Sequence, residues 1–194
     1  MGWVKGITTN PTLLAKSNEP PETTLKKLAA LTSGSVFYQL VASDFEEMLA
    51  EGQKAFELVG EQVILKIPAT AIGFAAVACL SPEITCSVTA IYSAAQAAVA
   101  KEAGARIAIA YVNRATRLLG DGIALVQDMA SILSGSDTEI LAASIKSPQE
   151  AAAALQAGAH HLTLPMPLMQ AMSIHEFSDK TVEEFAQNGI GLKM

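Results

Sequence analysis

Short apolar runs rich in β-branched residues recur along this chain, and stretches with helical patterning separate them. Runs of this composition and length are typical of buried strands. Seven strands are predicted, over residues 4–9, 36–41, 63–67, 84–89, 106–112, 139–145 and 161–164. Because strands and helices alternate from end to end, we expect a parallel sheet with its helices on the outside.

Several of the intervening helices carry recognisable start signals. Asp44 with Glu47, and Ser147 with Glu150, have the spacing of a capping box. An Ala-rich helical body is expected over residues 90–104, and closing helices are expected over residues 165–172 and about 178–188. The chain is therefore predicted to keep a βαβα rhythm throughout.

The spacing of the strands favours a closed barrel over an open, doubly wound sheet. An eight-unit barrel needs about 25 to 30 residues per β/α unit, which fits this chain, and no GxGxxG turn marks a dinucleotide-binding sheet. We predict one α/β domain over residues 1–194, a parallel (β/α)8 TIM barrel. Since only seven strands can be counted, its first β/α unit is expected to be missing before residue 1.

Composition narrows the classes of partner. With 51% apolar and 16% charged residues, the chain can bury a sizeable core. A net charge of −6 without a Lys/Arg cluster argues against nucleic acid. No run is long and apolar enough to span a membrane. Two cysteines without CxxC spacing, and no signal-peptide pattern, predict a reducing, cytoplasmic setting.

Polar residues stand where nearly every predicted strand ends. In barrels of this kind the catalytic groups lie at the C-terminal ends of the strands. The residues at these ends are Thr8, Thr9, Asn10, Gln39, Lys66, Ser87, Thr89, Tyr111, Asn113, Arg114, Ser144 and Lys146. We expect them to converge on one site.

Lys66 is the most informative of these residues because it interrupts an otherwise apolar strand. Burial disfavours the charged form and lowers the pKa of a lysine, which yields the free amine that attacks a carbonyl to form an imine. A lysine at a barrel mouth can also pair with a carboxylate or bind phosphate. The residues alone leave these roles open.

Several motifs occur together and in order: GITTNPT at 6–12, ILKIP at 64–68, TAIYSAAQ at 89–96 with AGA at 103–105, YVNR at 111–114 and LAAS at 141–144. In this combination the chain resembles the transaldolase family from end to end. Its small branch of fructose-6-phosphate aldolases is the most similar, because Gln39 and Tyr111 match that branch. Transaldolases proper usually have glutamate and phenylalanine there.

The resemblance implies a Schiff-base aldolase or transaldolase that acts on sugar phosphates and uses no metal or other cofactor. Lys66 would form an imine with a ketose such as fructose 6-phosphate, and cleavage of the C3–C4 bond would leave a dihydroxyacetone enamine. Gln39, Thr89 and Tyr111 would surround a water that moves protons. The alternatives are a transaldolase that passes dihydroxyacetone to erythrose 4-phosphate, and a non-catalytic or truncated sugar-phosphate-binding barrel.

The same resemblance assigns the substrate-binding residues. Thr8 and Asn10 would bind hydroxyls of the dihydroxyacetone portion, while Arg114 and Ser144 would bind phosphate. Each assignment has a structural alternative: Asn10 could form an Asx turn with Pro11, and Arg114 could pair with Asp121. Lys146 is expected to be solvated.

Three further expectations concern the rest of the molecule. The family's first strand ends in a catalytic aspartate, for which neither Asp44 nor Asp121 is a substitute by position. His160, His161 and His175 do not form a metal-ligand pattern. Members of the small branch are ring-shaped homo-oligomers in which the C-terminal helix packs on a neighbour, so a homo-oligomer is expected.

Overall fold

The computed structural model describes residues 2–192 and contains one seven-stranded sheet. All neighbouring strands are parallel and follow one another in sequence order. The strands are β1 (Gly6–Thr8), β2 (Ser35–Gln39), β3 (Val63–Pro68), β4 (Cys86–Ile91), β5 (Ile107–Tyr111), β6 (Glu139–Ala143) and β7 (His161–Leu162). Each of the seven predicted runs overlaps one of them.

Helices connect the strands and follow the last one. They are α1 (Pro11–Leu14), α2 (Pro21–Leu31), α3 (Phe45–Val59), α4 (Ala71–Leu80), α5 (Ala94–Glu102), α6 (Val112–Leu119), α7 (Gly122–Leu133), α8 (Pro148–Gln156), α9 (Met166–Met172) and α10 (Glu176–Asn188). A short 3₁₀ turn, Gly60–Gln62, precedes β3. The two closing helices lie where the sequence predicts them, within two residues at each end.

The start signals read from the sequence act as helix caps. The Asp44 carboxylate accepts hydrogen bonds from the backbone amides of Glu46 and Glu47, and the Ser147 hydroxyl accepts one from Glu150. These bonds satisfy amides that have no partner inside a helix. The sequence therefore identified the starts of α3 and α8 correctly.

The prediction for residues 84–104 was wrong in detail. The strand was expected to end at residue 89 and the helix to begin at residue 90, but β4 extends to Ile91 and α5 begins at Ala94. The Ser93 hydroxyl caps α5 by accepting from the Gln96 amide at 3.2 Å. A β-bulge in β4 adds a residue to the strand, which alanine composition alone does not reveal.

The sheet is curled, with one apolar layer inside it and a larger one between the sheet and its helices. The inner layer consists of Phe37, Ile64, Ile107, Ile109, Leu141 and Ala143. The outer layer includes Leu65, Ile67, Val88 and Ile91, which come from the opposite faces of the same strands. The fold is therefore the predicted α/β barrel architecture, in which helices cover a curled parallel sheet.

The first and last strands are the edges of this sheet. Within residues 2–192 no backbone pairing joins β1 to β7, although the Thr8 and Thr163 hydroxyls form a 2.6 Å hydrogen bond across the gap. Seven curled strands with facing edges match a TIM barrel from which one β/α unit is absent.

Among the helices of residues 2–192, none has the length and apolar character needed to cross a bilayer. Cys79 and Cys86 are both free thiols.

Candidate active site

Lys66 lies in the middle of β3 and faces the inside of the curled sheet. Its side chain is only 6% exposed, and its amine donates a 2.9 Å hydrogen bond to the backbone carbonyl of Thr9. Burial lowers the pKa of Lys66 to about 8. At this pKa roughly a tenth of the amine is unprotonated and nucleophilic at pH 7, far more than for an exposed lysine.

The strand register brings other predicted site residues next to Lys66. Gln39 of β2 and Ser87 of β4 are its direct partners on either side, and Thr89 pairs with Pro68 two residues further along β3. Paired residues in parallel strands point to the same face of a sheet. Gln39, Lys66 and Thr89 therefore share the inner face, at the C-terminal side of the apolar layer.

Tyr111 ends β5 and completes this group. The fully buried Thr89 hydroxyl donates to the Tyr111 hydroxyl at 3.1 Å. Gln39 contributes a buried side-chain oxygen, Oε1, which has no hydrogen-bond partner among residues 2–192. A buried acceptor of this kind is available to a water or a substrate hydroxyl. Ser87, in contrast, donates to the Leu65 carbonyl at 2.8 Å and is occupied structurally.

The two residues expected to bind substrate hydroxyls already have partners. The Asn10 side chain accepts a 2.9 Å bond from the Leu13 amide and caps α1, so the structural alternative expected for Asn10, a turn at Pro11, has a counterpart here. The Thr8 hydroxyl bonds that of Thr163. Both lie at the end of β1 beside Thr9, whose carbonyl binds Lys66, and both keep hydrogen-bonding capacity for a ligand.

Arg114 lies in the first turn of α6 and Ser144 in the loop after β6, both at the C-terminal end of the sheet. The Cζ atom of the Arg114 guanidinium lies over the Tyr111 ring, 5.1 Å from the ring centre. Asp121 does not pair with it among the described ion pairs; this carboxylate instead caps α7 through the amides of Ile123 and Ala124. Ser144 directly follows β6 with a left-handed backbone, φ 62°.

Glu150 connects the start of α6 with the loop after β6. Its carboxylate accepts from the Lys146 amide at 2.6 Å and from the Asn113 side chain at 3.3 Å. Asn113 precedes Arg114, and Lys146 lies two residues after Ser144. The Lys146 side chain is exposed, as expected.

Sequence reasoning missed three features near this group. Glu51 of α3 accepts three hydrogen bonds, one from Tyr38 of β2 and two from the backbone amides of Val41 and Ala42 in the loop that follows. Ala90 adopts a left-handed backbone, φ 59°, at the β4 bulge, and Thr163 contacts Thr8. None of these has a local motif. A glutamate inside a helix and an alanine inside an Ala-rich stretch are the commonest of patterns.

A cavity of about 1470 Å³ lies at the opposite side of the apolar layer and along the gap between β1 and β7. Its lining includes Ile7, Phe37, Ile64 and Met169, but neither Lys66 nor Tyr111. The N-terminal end of barrel strands usually serves stability, whereas chemistry occurs at the C-terminal end. The geometry therefore favours the Lys66 group, and not this cavity, as the reactive centre.

Over residues 2–192, no three or more His, Cys, Asp and Glu side chains group as a metal site would require. The described polar groups around Lys66 are amide, hydroxyl and phenol groups, which suit a polyhydroxylated ligand.

Comparison with known proteins adds a family and a fold. The family described as "Transaldolase/Fructose-6-phosphate aldolase" matches residues 1–192. A "Probable transaldolase" of Symbiobacterium thermophilum is 34% identical over 190 residues, covering 96% of this chain and 88% of that protein. A "Probable transaldolase" of Hydrogenobaculum sp. is 37% identical over 190 residues, with coverages of 96% and 87%.

Among solved structures, mandelate oxidase with benzoyl-formic acid superposes with a TM-score of 0.57 at 20% identity. The alignment covers 84% of this chain and 59% of that chain, so this chain spans less than two thirds of the solved protein. A likeness at this identity shows a shared barrel architecture alone.

Proposed function

Because the chain belongs to the transaldolase/fructose-6-phosphate aldolase family, we propose that this enzyme works through a Schiff base on Lys66. It cleaves or forms the C3–C4 bond of a ketose phosphate such as fructose 6-phosphate. The observation that carries the proposal is the buried Lys66 amine, whose pKa is lowered to about 8 by burial. Such an amine is a nucleophile without an adjacent strong base.

The covalent steps follow from this amine. Lys66 adds to the ketose carbonyl to give a carbinolamine, which loses water to give a protonated imine. The C3–C4 bond then breaks, its electron pair enters the imine, and the C4 hydroxyl becomes the carbonyl of the departing aldehyde. An enamine of dihydroxyacetone remains on Lys66. In the family an aspartate takes the C4 hydroxyl proton, and it ends a strand that is not among the seven described here.

Gln39, Thr89 and Tyr111 handle the remaining protons. The Thr89 to Tyr111 hydrogen bond and the unpartnered Gln39 oxygen can hold a water between them. Protonation of the enamine at C3, assisted by the Tyr111 hydroxyl, gives an imine that water hydrolyses to free dihydroxyacetone. A phenol at this position favours release of the product and hence the aldolase reaction.

Arg114 and Ser144 bind the phosphate, and Thr8 and Asn10 bind hydroxyls of the dihydroxyacetone portion. A guanidinium offers the paired donors that a phosphate accepts. The left-handed backbone at Ser144, φ 62°, is a conformation of the kind that occurs in anion-binding concavities built from successive backbone amides. In a protein with net charge −6, these local donors are needed to hold an anion.

Transfer of dihydroxyacetone to erythrose 4-phosphate is the second candidate, because the relatives are named probable transaldolases. The two reactions share the Lys66 enamine and differ only in its fate. A non-catalytic sugar-phosphate-binding barrel is the third candidate; it would use Arg114 and Ser144 without the amine.

One assay separates these candidates. The purified protein is given fructose 6-phosphate with and without erythrose 4-phosphate, and glyceraldehyde 3-phosphate is measured with a coupling enzyme. We expect release without the acceptor and none from Lys66→Met. If glyceraldehyde 3-phosphate is released only when erythrose 4-phosphate is present, the protein is a transaldolase and not an aldolase. If glyceraldehyde 3-phosphate is released in neither condition but fructose 6-phosphate still binds, the non-catalytic sugar-phosphate-binding barrel is the remaining candidate.

We also propose that the protein is a homo-oligomer of the cytoplasm. Helix α10 carries Phe177, Val182 and Phe185, which are 61%, 66% and 71% exposed. Ordered apolar faces of this kind mark surfaces that another chain covers, and a second copy fits the family's ring assemblies. The free thiols of Cys79 and Cys86 accord with a reducing compartment.

A further inference from the structure

The carboxylate of Glu51 binds strand β2 and its loop on both sides of Gln39. Its Oε1 accepts a 2.7 Å hydrogen bond from the Tyr38 hydroxyl. Its Oε2 accepts from the backbone amides of Val41 and Ala42, both at 2.9 Å. Hydrogen bonds to a carboxylate are stronger than neutral ones. Glu51 therefore holds the chain just before and just after Gln39, and we call these three hydrogen bonds to its carboxylate the Glu51 clasp.

The position of α3 allows this reach. Gly52, next to Glu51, is buried, and a Cβ there would lie 3.0 Å from the Leu80 side chain and 3.1 Å from that of Leu65. The absence of a side chain lets α3 lie close to the sheet. Close packing then sets the glutamate beside the end of β2.

The Tyr38 hydroxyl is a dependable donor in this clasp. Burial, and next the hydrogen bond to Glu51, raise the pKa of Tyr38 above its ordinary value. The phenol therefore stays protonated at every pH at which the enzyme would work. The charge of the clasp resides on Glu51.

Gln39 has little else that fixes its side chain. Its Oε1 is buried and has no hydrogen-bond partner among residues 2–192. Its backbone is the register partner of Lys66, and the next amide, that of Leu40, donates to the Lys66 carbonyl at 3.0 Å. The direction of the Gln39 amide therefore depends on how firmly the chain before and after it is held.

We propose that Glu51 is a positioning residue that fixes Gln39 relative to Lys66. It touches neither the substrate nor the amine; it holds residues 38 and 41–42, so that the amide between them keeps one direction. The inference rests on the proposed function only where Gln39 is said to handle a proton.

Side-chain NMR tests the positioning itself. The ¹⁵N-labelled protein is compared with Glu51→Ala and with Glu57→Ala, a matched change at an exposed glutamate of the same helix. The Gln39 amide signals are assigned by their loss in Gln39→Glu. We expect these signals to move toward the positions of exposed glutamines, or to broaden, in Glu51→Ala only. Unchanged Gln39 signals in Glu51→Ala would overturn the proposal.

Kinetics test the consequence for the site. Because small misplacements of a reacting group are costly, we expect Glu51→Ala to lower kcat about tenfold while KM changes less than about twofold. Glu51→Gln keeps one acceptor oxygen and should recover part of the loss. Glu57→Ala should match the wild type. Equal kcat values for Glu51→Ala and the wild type would also contradict the proposal.

The NMR and kinetic experiments together distinguish a failure of this inference from a failure of the proposed function. A wild-type protein that fails to cleave any ketose phosphate refutes the proposed function, and the NMR comparison still decides the role of Glu51. If Glu51→Ala does not fold, two milder variants take its place. Tyr38→Phe removes one hydrogen bond to Glu51, and Glu51→Gln removes the charge. Both should shift the Gln39 signals. A lowered melting temperature with unchanged signals would make Glu51 a purely structural residue.

Discussion

At the scale of single residues, the burial of Lys66 lowers the stability of the folded protein and makes the amine more reactive. The folded protein holds an amine that the unfolded chain would expose to water, and the lowered pKa measures the cost of its charged form. A shift from 10.5 to about 8 corresponds to about 3 kcal/mol. Groups that destabilise a fold in this way are common at reactive centres.

Replacing Lys66 by methionine should therefore stabilise the protein at neutral pH. Allowing about 1 kcal/mol for the Thr9 carbonyl that loses its donor, we expect a net gain of about 2 kcal/mol in the free energy of unfolding. Urea unfolding at pH 7 measures it. A Lys66→Met protein less stable than the wild type would show that the ammonium is not destabilising.

The gain should also depend on pH with a definite sign. Below pH 8 the wild type carries the full cost of a buried ammonium, and between pH 8 and 10.5 the folded protein has lost a proton that the unfolded chain retains. Wild-type stability relative to Lys66→Met should rise across that window. Lys146→Met, which changes an exposed lysine, should show no such trend.

Tyr111 is predicted to govern the fate of the enamine. In Tyr111→Phe the 3.1 Å bond from Thr89 is lost, and with it the acid that assists protonation. Since general acids contribute about 10²- to 10⁴-fold, release of dihydroxyacetone should slow by at least about 100-fold. Transfer to erythrose 4-phosphate should survive. Equal losses of release and transfer would contradict this role.

Some residues of the site can be predicted from the sequence and others cannot. Lys66 stands out because a charged residue interrupts an apolar strand, and its burial was foreseen. Glu51 could not be found this way, because its partners Tyr38, Val41 and Ala42 become neighbours only once α3 packs on the sheet. Long-range hydrogen bonds leave no local pattern.

At the scale of elements, the bulge in β4 shapes the mouth of the barrel. Val88 pairs with Ala108 and Ile91 with Ala110, so two residues of β4 oppose one of β5. The extra residue turns the fully buried Ile91 outward to the helices. Without it, the alternation of the strand would aim the Ile91 side chain into the barrel, beside Tyr111.

The left-handed backbone at Ala90 should decide which substitutions the bulge tolerates. Glycine adopts φ 59° freely, whereas a β-branched side chain does not. We expect Ala90→Gly to fold at least as stably as the wild type, and Ala90→Val to lose about 2 kcal/mol and most activity. Ala152→Val, at an exposed position of α8, should cost less than about 1 kcal/mol. Equal unfolding midpoints for the two valine variants would contradict a strained bulge.

Element identity was more predictable than element ends. Short apolar runs rich in β-branched residues predict the seven strands, and Asp44 and Ser147 mark helix starts through a local hydrogen bond. The end of β4 was misplaced because pairing with β5, and not propensity, extends it to Ile91. Strand ends depend on neighbours that are distant in sequence.

At the scale of the whole molecule, two surfaces are left uncovered by residues 2–192. One is the gap between β1 and β7, and the other is the apolar face of α10, which lies alone after the barrel. Each residue of α10 is exposed, although the helix has a capped start at His175. A helix with so little packing inside its own chain is the surface that the proposed oligomer would cover.

Assembly should depend on that face. Light scattering is expected to give a mass that is a multiple of 20.3 kDa, and Phe177→Ser with Phe185→Ser should reduce it to one chain. Glu183→Ser with Gln187→Ser changes the opposite face and should leave the assembly intact. A monomeric wild type, or an unchanged mass in the phenylalanine variant, would contradict the proposed oligomer.

Chemical trapping can detect the Schiff base on Lys66 that the proposed reaction requires. The protein is incubated with dihydroxyacetone or fructose 6-phosphate, reduced with borohydride, digested and examined by mass spectrometry. We expect a reduced adduct on Lys66 of β3 and none in Lys66→Met. An unmodified Lys66, under conditions that label the corresponding lysine of a related transaldolase, would contradict a covalent role for Lys66.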